Sequence, residues 1–129
     1  MRIYIVSIFL FLSLGNFLAA SNSNSKIFKT TPDELDQMFS ENELFANEKL
    51  DGKSVEITGV IASIGKSMGK PYVEFKLSNS FLVAVMFVEI SEINSLTNLR
   101  KGQTTSLICE KISYFMFPTG ENCTIKRSK

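Results

Sequence analysis

The chain has 129 residues, 44% of them hydrophobic and 21% charged, with a formal net charge of +1 and no histidine. That length and apolar content fit one folded domain and exclude a disordered chain. The missing histidine excludes His-dependent catalytic triads, His metal ligands and a histidine pH switch.

Residues 1–21 are the most apolar part of the chain. Met1 and Arg2 give a positive start, and Ile3 to Leu14 is an apolar run broken only by Ser7 and Ser13. Phe17-Leu18-Ala19-Ala20-Ser21 then supplies small residues. Charge, apolar stretch and small-residue site in that order predict a secretory signal peptide over residues 1–21. The alternative is an uncleaved anchor, since Ile3 to Ala20 is just long enough to span a bilayer. No cysteine lies near the junction to carry a lipid. The sequence therefore predicts an exported protein, periplasmic or secreted, with no membrane span once the signal is removed. Cleavage also removes Arg2 and leaves 13 basic and 13 acidic side chains. A neutral mature chain disfavours nucleic acid as a partner.

Export gives the two cysteines a meaning. Cys109 and Cys123 are the only ones, and an oxidising compartment favours a disulfide between them. The alternative is a pair of buried free thiols. Without histidine they cannot complete a zinc site, and their separation is unlike a redox Cys-x-x-Cys. No metal site and no cofactor are expected.

In chain order, the Ser/Asn-rich residues 22–30 read as a flexible tether, followed by one domain over residues 31–129. Thr31-Pro32-Asp33-Glu34 opens a helix, with Thr31 and Glu34 forming a capping box around a proline at the first position. Leu35, Met38, Phe39, Phe45 and Ala46 continue it at helical spacing to about Glu48. From Ser54 the period becomes two, and Gly59 inside that pattern predicts a bulge or bend. Gly65 to Lys70 is a hairpin turn, and Tyr72 to Leu77 is a second strand with Tyr72, Glu74 and Lys76 on one face. Phe81 to Val88 is apolar throughout and predicts a third strand covered on both faces. Glu89 to Leu99 has the spacing of a short helix, Thr104 to Ile112 forms a fourth strand and Asn122 to Arg127 a fifth.

The fold class predicted is mainly β: a five-stranded OB-fold, a Greek-key barrel, with an N-terminal helix and a short helix between barrel strands 3 and 4. The residues also resemble the tRNA_anti-like family of small exported OB-fold proteins over Thr31 to Lys126. The resemblance rests on Thr31-Pro32-Asp33-Glu34-Leu35, Asn42 to Asn47, Lys53 to Gly59 and Ile64-Gly65-Lys66. It extends through Pro71-Tyr72-Val73, Leu99 to Gln103 and the pair Cys109 and Cys123. The resemblance implies an OB-fold and supplies no catalytic residues.

The functional expectation is a non-catalytic binding module whose ligand is a protein or glycan of the cell envelope. An OB-fold presents the outer face of its second and third strands to extended ligands. The candidate ligand-binding residues are therefore Tyr72 and Lys76, with Lys66 and Lys70 nearby. Phe115 and Phe117 join them from the Tyr114-Phe115-Met116-Phe117-Pro118 run, read either as a cover over an open barrel end or as an exposed contact loop. One alternative function is single-stranded nucleic-acid binding, against which stand Glu74 on the same face and the placement of Lys126, Arg127 and Lys129 at a mobile terminus. The other is an envelope hydrolase, for which Glu56 and Glu74 are the only carboxylate pair to name.

Overall fold

The computed structural model describes residues 26–78 and 81–127. The expected signal peptide and the start of the expected tether lie outside them. The chain runs β1 (Ile27–Thr30), α1 (Pro32–Glu41), α2 (Glu43–Leu50), β2 (Ser54–Ser67), β3 (Lys70–Lys76) and β4 (Val83–Val88). A single 3-10 turn (Ile90–Glu92) leads into α3 (Ile93–Leu96), then β5 (Thr104–Phe115) and β6 (Phe117–Ile125). The sheet order is β1-β2-β3-β4-β6-β5, and a further β2–β5 pairing closes it into a ring. Strands β2 to β6 form the five-stranded barrel, with α3 between its third and fourth strands. That is the OB-fold connectivity.

Alternation builds the core. Val73 and Phe75 from β3, Ala84 and Met86 from β4, and Ile57 and Ile61 from β2 are fully buried. Helix α1 lies against one barrel end, where Leu35 and Phe39 are buried. Gly59 permits that approach. A Cβ there would stand 2.8 Å from Pro32 Cγ and 3.0 Å from the Phe75 ring. The register shift expected at Gly59 falls instead between Ile61 and Ser63.

Cys109 and Cys123 form a disulfide and face each other directly across the antiparallel β5–β6 pair. Both are fully buried.

Several boundaries differ from the sequence reading. Residues 27–30 are not tether: they pair in parallel with β2, from Ile27 opposite Ser54 to Thr30 opposite Ile57. Phe28 packs on the core, and the Lys53 ammonium lies 5.9 Å from its ring centroid. The single expected helix is two, because Asn42 adopts extended backbone and its side chain accepts from the Phe45 N–H, capping α2. The break rotates Phe45 off the buried stripe. The last strand begins at Phe117 rather than Asn122, so the barrel is joined by a sixth strand, β1, and a longer β6. The carboxyl end is also anchored: Lys126 Nζ is 3.1 Å from Glu56 and Arg127 3.1 Å from Glu92.

Candidate ligand-binding face

Every second residue of β3 and β4 points away from the core, and these residues define the outer face. Tyr72, Glu74 and Lys76 alternate with buried Pro71, Val73 and Phe75 on β3. Val83, Val85 and Phe87 alternate with buried Ala84, Met86 and Val88 on β4. Register sets them in rows: Tyr72 opposite Phe87, Glu74 opposite Val85, and Lys76 opposite Val83. Strand β6 extends the middle row, with Thr119 beside Val85. Phe117, two residues before Thr119 on β6, lies on the same face as Thr119 by strand alternation.

The expectation that the third strand is covered on both faces is therefore wrong. An unbroken apolar run reads as a doubly covered strand, yet Val83, Val85 and Phe87 are only partly buried. Phe87 is the functional candidate that the sequence reading missed. Its ring centroid is 6.4 Å from that of Tyr72, at an interplanar angle of 72°. The Tyr72 ring also lies across β2 at Gly65, where a Cβ would stand 2.6 Å from the phenol oxygen. Gly65 thus lets the ring lie low on the sheet with one surface outward.

The expected lysines divide. Lys70 stands opposite Ser67 on the same side of the hairpin as Tyr72, which pairs with Gly65. Lys66 pairs with buried Pro71 and so points to the other side, where it lines a small recess with Ile64, Ile93 and Leu96. Lys70 borders a second recess next to Phe87, together with Glu89 and Glu121.

The Tyr114–Pro118 run divides as well. Tyr114 stacks on Phe39 and donates a hydrogen bond to Asp36 at 3.1 Å. Burial, then the Asp36 hydrogen bond and charge, raise its phenol above the ordinary tyrosine value. Met116 alone makes the β5–β6 turn, with φ of 64°. Phe115 and Met116 are 79% and 64% exposed. Tyr114 and its cross-strand partner Pro118 pack inward, while Phe115 and Met116 at the tip project.

The carboxylates named for a hydrolase do not converge. Glu56 sits at the β2–β5 seam opposite Ile108, nearly buried and paired with Lys126. Glu74 is opposite Ser63, seven residues further along β2, a contour of about 23 Å at ~3.3 Å per residue. Inverting glycosidases hold their carboxyls about 6.5–9.5 Å apart. Among the described residues, no group of His, Cys, Asp or Glu side chains is arranged to hold a metal ion.

A closed five-stranded barrel with a helix between its third and fourth strands defines an OB-fold. The chain belongs to the tRNA_anti-like family, whose profile matches residues 3–118. Among solved structures, it is similar to the "putative nucleic acid-binding lipoprotein" of Klebsiella pneumoniae subsp. pneumoniae MGH 78578. That likeness has a TM-score of 0.57 and 18% identity, over 77% of this chain and 92% of that one. The S. pombe Stn1-Ten1 complex is similar at a TM-score of 0.44 and 18% identity, over 58% of this chain and 59% of that one. No curated protein matches the sequence.

The expectation that nucleic acid is disfavoured as a partner is contradicted by the first of these neighbours, which carries a nucleic acid-binding name. Charge is also unevenly distributed over the fold. Helices α1 and α2 carry Asp33, Glu34, Asp36, Glu41, Glu43 and Glu48 against Lys49 alone. The other described residues hold eleven Lys and Arg against seven Asp and Glu. A sum near zero conceals an acidic helical layer on a basic remainder. The basic terminus expected to be mobile is instead anchored, since Lys126 and Arg127 are ion-paired.

Proposed function

We propose that the protein is an exported, non-catalytic OB-fold binding module that takes single-stranded nucleic acid on the outer face of β3 and β4. The observation that carries this reading is the juxtaposition of Tyr72 and Phe87 on that face, with Lys70 beside them and Lys76 one row beyond Glu74. Aromatic rings accept successive bases by stacking, worth about 1–3 kcal/mol per base, and lysines track the phosphates. Phe117 and the Phe115 tip extend the apolar surface at the Lys76 end. The lipoprotein neighbour is consistent with an envelope location for a domain of this shape. No described helix is long and apolar enough to cross a membrane.

Glu74, at the centre of the face, favours a second reading: a glycan, whose hydroxyls would donate to that carboxylate while its sugar rings stack on Tyr72 and Phe87. The two readings part in one titration. Fluorescence anisotropy with mixed-sequence oligonucleotides across a salt series should show binding with a shallow slope. With only Lys70 and Lys76 at the phosphates, log affinity should fall with log salt by about 1.4. The double variant Lys70→Glu, Lys76→Glu should abolish it. A flat titration at low salt, with oligosaccharide binding that perturbs tyrosine fluorescence, would replace the nucleic-acid reading with the glycan one.

A further inference from the structure

Strand β6 carries an extra residue opposite Phe87. Met86 pairs with Gly120 and Val88 with Cys123, so Phe87 alone on β4 stands against both Glu121 and Asn122 on β6. Gly120 and Cys123 are buried, and the two residues between them are exposed. Asn122 takes up the irregularity with φ of 53°, a left-handed conformation that asparagine tolerates. Strict alternation would turn Asn122 inward and Cys123 outward. The bulge keeps Cys123 in the core and leaves Glu121 and Asn122 both on the outer side.

Beside Phe87 this leaves a recess of about 180 Å³. Phe87 and Ile90 give it apolar walls, Glu89 and Glu121 line it as carboxylates, and Lys70 borders it from β3. The Glu89 N–H donates to the Cys123 carbonyl at 2.9 Å, which fixes the end of β4 against β6. Neither carboxylate forms an ion pair among the described residues. Asn122 turns its amide aside, donating to Glu110 at 3.4 Å.

That lining selects by chemistry. Ionised carboxylates accept hydrogen bonds, donate none and repel phosphate. A base stacked on Phe87 with its edge in the recess has to present donors there. Adenine and cytosine offer one amino group, and thymine one ring N–H. Guanine alone has a ring N–H and an amino group side by side. We propose that the recess reads guanine: its N1–H and N2 amino group donate to Glu89 and Glu121, its ring lies on Phe87, and its phosphate stays outside near Lys70. The proposal rests on the nucleic-acid reading of the β3–β4 face and adds a base preference to it.

Anisotropy titrations of the purified protein test it. The probes are an all-thymine oligonucleotide and copies with one central guanine, adenine, cytosine or hypoxanthine. Guanine should bind about tenfold tighter than adenine, a purine with a single amino donor, because paired hydrogen bonds to a base edge discriminate by that order. Hypoxanthine keeps N1–H, lacks the amino group and should fall between them. The double variant Glu89→Gln, Glu121→Gln should bind but lose the preference. Equal affinity for guanine and adenine, or a preference that survives in the double variant, would overturn the proposal and leave the nucleic-acid reading standing. Hypoxanthine matching guanine would overturn it in the wild-type protein alone, whether or not the variant folds. Binding to none of the five probes would overturn both readings.

Discussion

The ring of Tyr114 lies parallel to that of Phe39, centroids 5.2 Å apart and planes within 3°, while its hydroxyl donates to Asp36 on the same helix. One side chain at the end of β5 thus ties the barrel to α1 by stacking and by a hydrogen bond. It also roots the exposed hairpin tip that follows it.

This contact predicts a pH dependence. The folded state holds the Tyr114 phenol above its ordinary value of about 10. Above pH 10 the unfolded chain releases that proton before the folded one does, so the folded state binds more protons and stability falls as pH rises. The contribution is fully present below pH 10 and is lost as pH climbs through the raised value. Tyr114→Phe keeps the stack and removes the hydroxyl. Its cost at neutral pH should be about 0.5–1.5 kcal/mol, and its urea midpoint should fall less between pH 9 and 11 than that of the wild type. An identical alkaline decline in both proteins would place the titrating group elsewhere.

The disulfide should matter more. Cys109 and Cys123 close a loop of about 15 residues, for which the chain-entropy model gives roughly 3 kcal/mol. For a barrel of this size, 1 kcal/mol moves the melting temperature by about 4–8 °C. Reduction should therefore lower it by about 12–24 °C. Both sulfurs are buried, so reductant should act slowly on the folded protein and quickly in mild denaturant. Thiol labelling of the native, unreduced protein would show that the bond is absent.

Met116 offers the opposite sign. It turns the chain alone between β5 and β6 with φ of 64°, a left-handed conformation that costs an L-residue about 1–2 kcal/mol. Its side chain is mostly exposed and has little packing to lose. Met116→Gly removes the Cβ conflict but adds freedom to the unfolded chain. The net expectation is stabilisation by about 1 kcal/mol in urea unfolding. A lower midpoint would mean that the Met116 side chain holds the tip together.

The barrel was legible because its strands alternate, and α1 because Thr31, Pro32 and Glu34 mark its start. Tyr72 and Lys76 were legible for the same reason, each separated from core residues by one position. Phe87 was not. It sits among Val85, Met86 and Val88, where apolar residues on both faces erase the alternation that tells inside from outside. Strand β1 was hidden by its length and by its partner, 27 residues further along the chain, whose parallel pairing leaves no local turn to detect. Asn42 resembles an ordinary polar helical position until its backbone extends. Pro118 and Gly120 read as breakers, yet both are buried inside β6. Net charge hid most, because a sum over the chain says nothing of where each sign collects.

The face itself yields the most discriminating prediction. If bases stack on Tyr72 and Phe87, each alanine substitution should remove about 1–3 kcal/mol of binding and leave the salt slope unchanged, since neither ring contacts counterions. Lys70→Ala and Lys76→Ala should lose less affinity at high salt and flatten the slope by about 0.7 each. Phe87→Ala is the sharper of the two aromatic tests, because Tyr72 also rests on Gly65 and its removal disturbs the hairpin. The two rings touch, so their losses should not add: the double variant should fall short of the sum of the single ones. Glu74→Gln should strengthen oligonucleotide binding by removing the carboxylate between the rings and Lys76, and weaken binding of a glycan whose hydroxyls donate to it. Anisotropy titrations of these six variants at two salt concentrations are sufficient. Full affinity in Phe87→Ala, with the slope intact, would remove this face from consideration as the nucleic-acid site.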